Sequence, residues 1–263
     1  MDATPLLPGH LSLSGRRALI CGASSGIGRA SAFAFAALGA ELVITARRTD
    51  RLSDMVAPLR DQGAADVHVV ASDFDDHTTL RALAERPCHI VLHNTGGPKG
   101  GPLLKADPSE LQAAFHRHVM TAHQLLQAHL PFMTDAGYGR FLTVLSTSVR
   151  EPIPNLGVSN LTRAAMASWA KTVSRELPPG LTINNLLPGF TDTERLDQLK
   201  TARAKREGVG GDAVHHAWLA QIPEGRLARA EEPAALLAFL ASPAGSYIRG
   251  QSIAVDGGRL RSI

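Results

Sequence analysis

Ala18-Leu19-Ile20-Cys21-Gly22-Ala23-Ser24-Ser25-Gly26-Ile27-Gly28 decides the fold. A short apolar run is followed by three glycines spaced G-x-x-x-G-x-G. An Ala- and Phe-rich segment, 29–38, closed by Gly39, comes next. Strand, tight turn and helix is the reading of that order. Glycines let the backbone turn sharply and approach a pyrophosphate, and the free N–H groups at the helix start bind that anion. A lone glycine cluster says little; one placed on the first strand-to-helix turn of a βαβ series says much more.

Outward from this turn the same alternation repeats. Strands are expected at 18–21, 41–45, 67–71, 89–93, 140–145, 181–186 and 251–255. Helices are expected at 50–61, 79–84, 155–177 and 233–241. A polar Asp-rich turn at 73–76 leads into the second of these. A longer helix at 108–133 is expected to break near its end at Pro131, and 193–216 to hold helical pieces around a Gly208-Val209-Gly210-Gly211 hinge. Continuous apolar strands alternating with helices imply a parallel sheet covered on both faces. With right-handed crossovers this is a doubly wound, Rossmann-type α/β sandwich of three layers and about seven strands. A single domain over residues 1–263, with a small lid at about 190–220, is expected.

Composition agrees. The 263 residues are 44% hydrophobic and 19% charged, enough for a large core and unlike a disordered chain. No apolar stretch approaches the ~18 residues needed to span a bilayer, and the first fifteen residues have neither a basic start nor a long apolar run. Cys21 and Cys88 are the two cysteines, each at the edge of an apolar run, and are read as buried reduced thiols of a cytoplasmic protein. Lys and Arg number 27 against 24 acids, spread over the chain, which is no nucleic-acid footprint. No metal site is expected.

Ligands of such sheets bind beyond the carboxyl ends of the strands. After the second strand stand Arg47 and Arg48, with no acid at the strand end. A carboxylate there would hydrogen-bond the ribose of NAD, whereas arginine suits the 2′-phosphate of NADP. The reading is NADP(H) in preference to NAD(H), with Arg47, nearer the strand, ahead of Arg48.

These pieces together resemble the short-chain dehydrogenases/reductases, from Ser14 to Gly258. Gly22, Ser24, Ser25, Gly26, Ile27 and Gly28 resemble the family's cofactor turn. Asp73 matches the aspartate that contacts adenine. His93-Asn94-Thr95-Gly96 stands where the family has Asn-Asn-Ala-Gly, which implies cofactor roles for Asn94 and Gly96. Pro188-Gly189 with Thr193 matches the loop at the nicotinamide end, and Val255-Asp256-Gly257-Gly258 the family's closing motif. The resemblance also implies a homodimer or homotetramer built on the two long helices.

The family's tetrad is Asn, Ser, Tyr and Lys. By spacing these fall on His118, Ser146, Ser159 and Arg163, so only the serine is kept. The two tyrosines, Tyr138 and Tyr247, lie off this helix. Asn94-Thr95-Gly96-Gly97-Pro98, Pro152-Ile153-Pro154 and Ser159-Asn160-x-x-Arg163 look like a divergent branch of 3-oxoacyl-carrier-protein-reductase-like proteins. Serine is a far weaker acid than a phenol with pKa near 10. Ser159 and Arg163, four apart, share one helix face. Arg163 can hold a ribose or phosphate through its fork of donors. His118 is one proton-carrier candidate, His93 another, since histidine titrates near neutrality. Ser148 stands behind Ser146 as runner-up. The basic run Lys200-x-x-Arg203-x-Lys205-Arg206 is either a solvated face or an attraction for an acidic carrier.

Three functions stay open: an oxidoreductase acting on a ketone or alcohol, with a small-molecule or acyl-type substrate; a catalytically inactive dinucleotide-binding sensor or complex partner; and a cofactor-assisted isomerisation or dehydration.

Overall fold

The computed structural model describes residues 9–74 and 76–262; Asp75, inside the expected turn at 73–76, lies outside the described residues. Seven strands form one all-parallel sheet in the order β3-β2-β1-β4-β5-β6-β7. They are β1 Arg17–Cys21, β2 Glu41–Ala46, β3 Asp66–Ala71, β4 Ile90–His93, β5 Gly139–Val144, β6 Leu181–Pro188 and β7 Ser252–Val255. The order reverses between β1 and β4, whose registers pair Ala18 with Ile90 and Ile20 with Leu92. In sheets wound this way ligands bind in a crevice at that reversal, beyond the carboxyl ends.

Both faces of the sheet are dry. Ala18, Ile20, Leu42, Ile44, Ile90 and Leu92 point into a core closed by α1 (Gly26–Ala37) and α10 (Glu231–Ala241). Leu19, Cys21, Val43 and Val91 point the other way, under α4 (His77–Ala84), α6 (Thr121–Asp135) and α7 (Gly157–Glu176). Successive residues are therefore apolar instead of alternating with polar ones. Cys21 and Cys88 are both free and buried, and burial pushes the Cys88 thiol up to about 12.

Three expected helices differ in detail. The stretch 50–61 is two pieces, α2 (Thr49–Ser53) and α3 (Val56–Asp61). Pro58 has no N–H to give the carbonyl of Asp54, so it is tolerated only in a first turn, and the chain restarts ahead of it. Pro131, by contrast, ends nothing. It lies inside α6, which runs on to Asp135, where the Thr134 hydroxyl bonds the Leu130 carbonyl at 2.8 Å. Between α5 (Pro108–Phe115) and α6 the helix widens into a π-turn, His116–Met120.

The segment expected as a lid has its own small core. Leu196 of α8 (Glu194–Glu207) and Val214 and Trp218 of α9 (Gly211–Leu219) are buried together, and Phe190 stacks on Trp218 at 5.1 Å. Gly208 ends α8 in the left-handed conformation at φ 67°. Among the described residues no helix is long and apolar enough to cross a membrane.

Candidate active site

The glycine turn after β1 is shaped for close approach. Gly22 has φ +64°, and a Cβ on it would stand 2.5 Å from the Asn94 carbonyl oxygen. A Cβ on Gly28 would stand 2.2 Å from the Gly22 carbonyl oxygen. Neither position has room for any other residue. Asn94, at the end of β4, donates from Nδ2 to the Gly22 carbonyl at 3.5 Å and ties the two strand ends across the crevice. Ser25 is the N-cap of α1, yet its side chain makes no capping bond, so the first N–H groups of the helix are left for an anion. These features fit a dinucleotide whose pyrophosphate sits on the helix start, with Gly22, Gly26, Gly28, Ser24 and Ser25 around it.

The two arginines after β2 part company. Arg47 is exposed. Arg48 turns back over the glycine turn, with Nη2 donating to Ser25 Oγ at 3.1 Å and to Ser24 Oγ at 3.3 Å. Asp73 is exposed after β3, its backbone held by Thr79, whose hydroxyl donates to the Asp73 carbonyl at 2.8 Å. Ile27 packs on the core instead of facing the crevice.

On the other side, Gly189 presses so closely on Asp256 that a Cβ would stand 2.7 Å from its Cα. Gly189 N–H donates to the Val255 carbonyl at 2.9 Å, so the Pro188-Gly189 loop is anchored to β7. Thr193 caps α8 by accepting from Leu196 N–H at 3.3 Å, and its methyl faces Gly26. The Asp256 carboxylate accepts from Gly258 and Leu260, which accounts for the closing Val-Asp-Gly-Gly without a ligand.

Arg163 and His118 meet at Thr95 after β4, Arg163 also reaches the Val144 carbonyl at the end of β5, two residues before Ser146, and Ser159 stands one turn ahead of Arg163 on α7. Ser146, just past β5, accepts from Ser148 N–H at 3.1 Å; among the described residues no acceptor takes its own proton. Arg163 is buried, with Nη1 donating to the Val144 carbonyl at 2.6 Å and Nη2 to the Thr95 carbonyl at 3.5 Å. Burial, then the charge of Arg195, lowers it to about 10. His118, on the π-turn, shares a 2.7 Å hydrogen bond between Nδ1 and Thr95 Oγ1. Burial, then the cation of Arg163, holds its imidazole far below the ordinary value, hence neutral. His93 is lowered to about 3 by burial first and Arg163 second, against a hydrogen bond to the Arg117 main chain. Among the described residues His93 Nε2, His118 Nε2 and Ser148 Oγ are buried without a partner, as are five further side-chain atoms elsewhere, such as His129 Nε2 and Thr182 Oγ1. Such atoms cost about 1–3 kcal/mol each. π-turns concentrate at functional sites.

Both tyrosines are elsewhere. Tyr138 lies between the guanidinium groups of Arg16 and Arg140, each 4.0 Å from its ring, with its hydroxyl bonded to the Ala241 carbonyl. Tyr247 is fully exposed. Ser159 and Arg163 stand one turn apart on α7, and neither tyrosine is on that helix.

Several residues at the site escape a sequence reading. Arg195 donates to the Pro98 carbonyl at 2.8 Å, and a Cβ on Gly97 would meet it at 3.3 Å, whereas Gly96 has open space around it. Asn160 holds both the N–H and the carbonyl of Ile153, at 3.3 and 2.9 Å. Gly101 exchanges hydrogen bonds with Asn155 and Gly157, which joins the loops after β4 and β5. Arg259 donates to Thr147 Oγ1 at 2.8 Å and lies over the Phe190 ring. Gly97, Pro98, Ile153 and Asn160 had a signal, since they stand in the divergent motifs, whereas Arg195, Gly101 and Arg259 had none. Three of the four cations in the basic run on α8 pair with acids of the same helix: Lys200 with Asp197, Arg203 and Arg206 with Glu207.

A parallel sheet, a glycine turn at its reversal and a polar cluster past β5 define a dinucleotide-dependent oxidoreductase. The family model described as Enoyl-(Acyl carrier protein) reductase matches residues 22–259. The chain belongs to the short-chain dehydrogenase/reductase family, and with it to the NAD(P)-dependent oxidoreductases. It is 30% identical over 259 residues to the NADPH-dependent reductase BacG of Bacillus subtilis (strain 168), covering 95% of this chain and 100% of that one. It is 30% identical over 260 residues to the 3-oxoacyl-[acyl-carrier-protein] reductase FabG of Pseudomonas aeruginosa, covering 96% and 100%. Among solved structures, L-sorbose reductase from Gluconobacter frateurii, complexed with NADPH and L-sorbose, superposes with a TM-score of 0.90 at 28% identity, covering 97% of this chain and 100% of that one.

Proposed function

We propose that this protein is an NADP(H)-dependent reductase acting on a ketone–alcohol pair, and that it works without the family's Tyr–Lys pair. The observation that carries the cofactor choice is Arg48 lying over Ser24 and Ser25, beside an N-cap that leaves the α1 N–H groups open. A 2′-phosphate offers such a guanidinium charge-assisted bonds that a bare ribose cannot. BacG and the sorbose reductase structure, both described with NADPH, support the same choice. The bound nicotinamide would supply the hydride.

This chain's residues would do the rest. The Ser146 hydroxyl is free to donate a hydrogen bond to the substrate oxygen, and Ser159 has a second hydroxyl on α7, while the proton itself comes from solvent. His118, kept neutral, serves as a hydrogen-bonding imidazole and not as a charged acid. Arg163 supplies fixed positive charge beneath the pair. With no phenol to give the proton, turnover is slow relative to relatives that carry one. A 3-oxoacyl thioester is the first substrate to screen, given the likeness to FabG. Homodimer or homotetramer assembly belongs to the same proposal.

The test is a fluorescence titration with NADPH and NADH. Wild-type protein binds NADPH the more tightly, and Arg48→Gln weakens NADPH by roughly ten- to a hundredfold, as loss of a charged hydrogen bond worth ~1.5–3 kcal/mol requires, while sparing NADH. Failure to bind either nucleotide would sink the reading and leave a scaffold role.

A further inference from the structure

The first residue of α8 reaches back to the glycine turn. Arg48 Nη1 lies 3.0 Å from Glu194 Oε2, and Arg51 Nη1 bonds the other carboxylate oxygen, Oε1. Two cations, Arg48 from the loop after β2 and Arg51 from α2, thus converge on one carboxylate. The same Arg48 keeps its second nitrogen on Ser24 and Ser25 of the glycine turn. Thr193 sets Glu194 in this place, since it caps α8 with its methyl against Gly26.

Nothing about folding requires the arrangement. The side chains of Arg48, Arg51 and Glu194 are 41%, 44% and 48% exposed. Exposed ion pairs contribute only ~0–1 kcal/mol and yield readily to another anion. Two guanidinium forks on one oxyanion, with two serine hydroxyls beside the Arg48 fork, are also a donor set that a phosphate monoester takes. The Glu194 carboxyl is held below its ordinary value, by Arg51 first and Arg48 second, so it is ionised whenever a phosphate would arrive.

We infer that Glu194 is an internal competitor for the 2′-phosphate of NADP(H), and that Arg51 is the second arm of the clamp for which the two anions compete. The inference rests on the NADP(H) reading of Arg48 above. The phosphate displaces the carboxylate, and NADH, with no phosphate, leaves it in place. Cofactor choice is then set in part by a lid residue far along the chain from β2. The second tether of the lid, Arg195 on the Pro98 carbonyl, is untouched by the exchange.

The experiment is calorimetric titration of NADPH, NADH and adenosine 2′,5′-bisphosphate into wild type, Glu194→Gln, Arg51→Gln and the double variant. Glu194→Gln is expected to tighten NADPH and the bisphosphate by about three- to tenfold, given the strength of exposed pairs, and to leave NADH within about twofold. Arg51→Gln loosens NADPH by a similar factor, and in its background the gain from Glu194→Gln shrinks. NADPH and NADH moving together, or neither moving, overturns the inference while the cofactor reading stands. Wild type and Glu194→Gln both silent towards NADPH and the bisphosphate overturn the two together.

Discussion

Arg163 is a buried cation whose two recorded bonds go to neutral carbonyls, Val144 on β5 and Thr95 after β4. It therefore staples the two strand ends that frame the site. Arg163→Met removes the charge but strands both carbonyls, and unmet buried acceptors cost about 1–3 kcal/mol. A fall in the urea unfolding midpoint is expected, larger than for Met at an exposed position. The same cation prepares the position one turn earlier: a phenol placed at residue 159 would have its pKa pulled down. Ser159→Tyr is accordingly expected to raise kcat for ketone reduction by about tenfold or more, with NADPH affinity unchanged. An unchanged kcat in a folded variant would mean that the pocket no longer presents a carbonyl there.

The buried imidazoles make a pH prediction. His93 is lowered to about 3 and His129, by burial, to about 4, while an unfolded histidine titrates near 6.5. Below pH 6.5 the unfolded chain takes up protons that the folded one refuses. Stability is full above pH 6.5 and declines as pH falls, by up to about 1.4 kcal/mol per pH unit for each such histidine. Chemical denaturation at pH 7.5 and 5.0 measures the slope, and His129→Gln should reduce it by one histidine's share.

At the scale of elements, the glycine turn is the most constrained piece. Gly28→Ala puts a methyl 2.2 Å from the Gly22 carbonyl oxygen, so the turn must open. Loss of NADPH binding by at least about tenfold is expected, since backbone–phosphate approach depends on that geometry. This turn was legible in sequence because its signal is local: three glycines between an apolar run and a helix. So was the doubly wound sheet, because strands buried on both faces leave continuous apolar runs. The π-turn, which carries the buried His118 and Val119, was not legible, since no residue type encodes it. Arg48 taking the place assigned to Arg47 is a matter of which way two adjacent side chains leave the chain end, and alternation alone does not say. Asn160 illustrates a half-legible case: the residue stood out, but its bond to Ile153, seven positions back, needed the fold.

For the whole molecule, the site is assembled from segments that close over one another. The loops after β4 and β5 are joined through Gly101, the lid is tied at Glu194 and Arg195, and the tail returns so that Glu151 accepts from Arg261 and Ser262. Arg259 links this tail to Thr147, the neighbour of Ser146. Arg259→Ala is expected to raise the KM for the carbonyl substrate severalfold with little change in NADPH affinity, as loosening a substrate-side wall requires; steady-state kinetics beside a cofactor titration checks it.

Trp218 stacks on Phe190 inside the lid, whereas Trp169, the other tryptophan, meets Phe141 over the central sheet. Replacing Trp169 with Phe would leave a single indole whose emission reports on the lid alone. Its colour would then follow, in real time, whether that small core stays dry while nucleotide and substrate come and go.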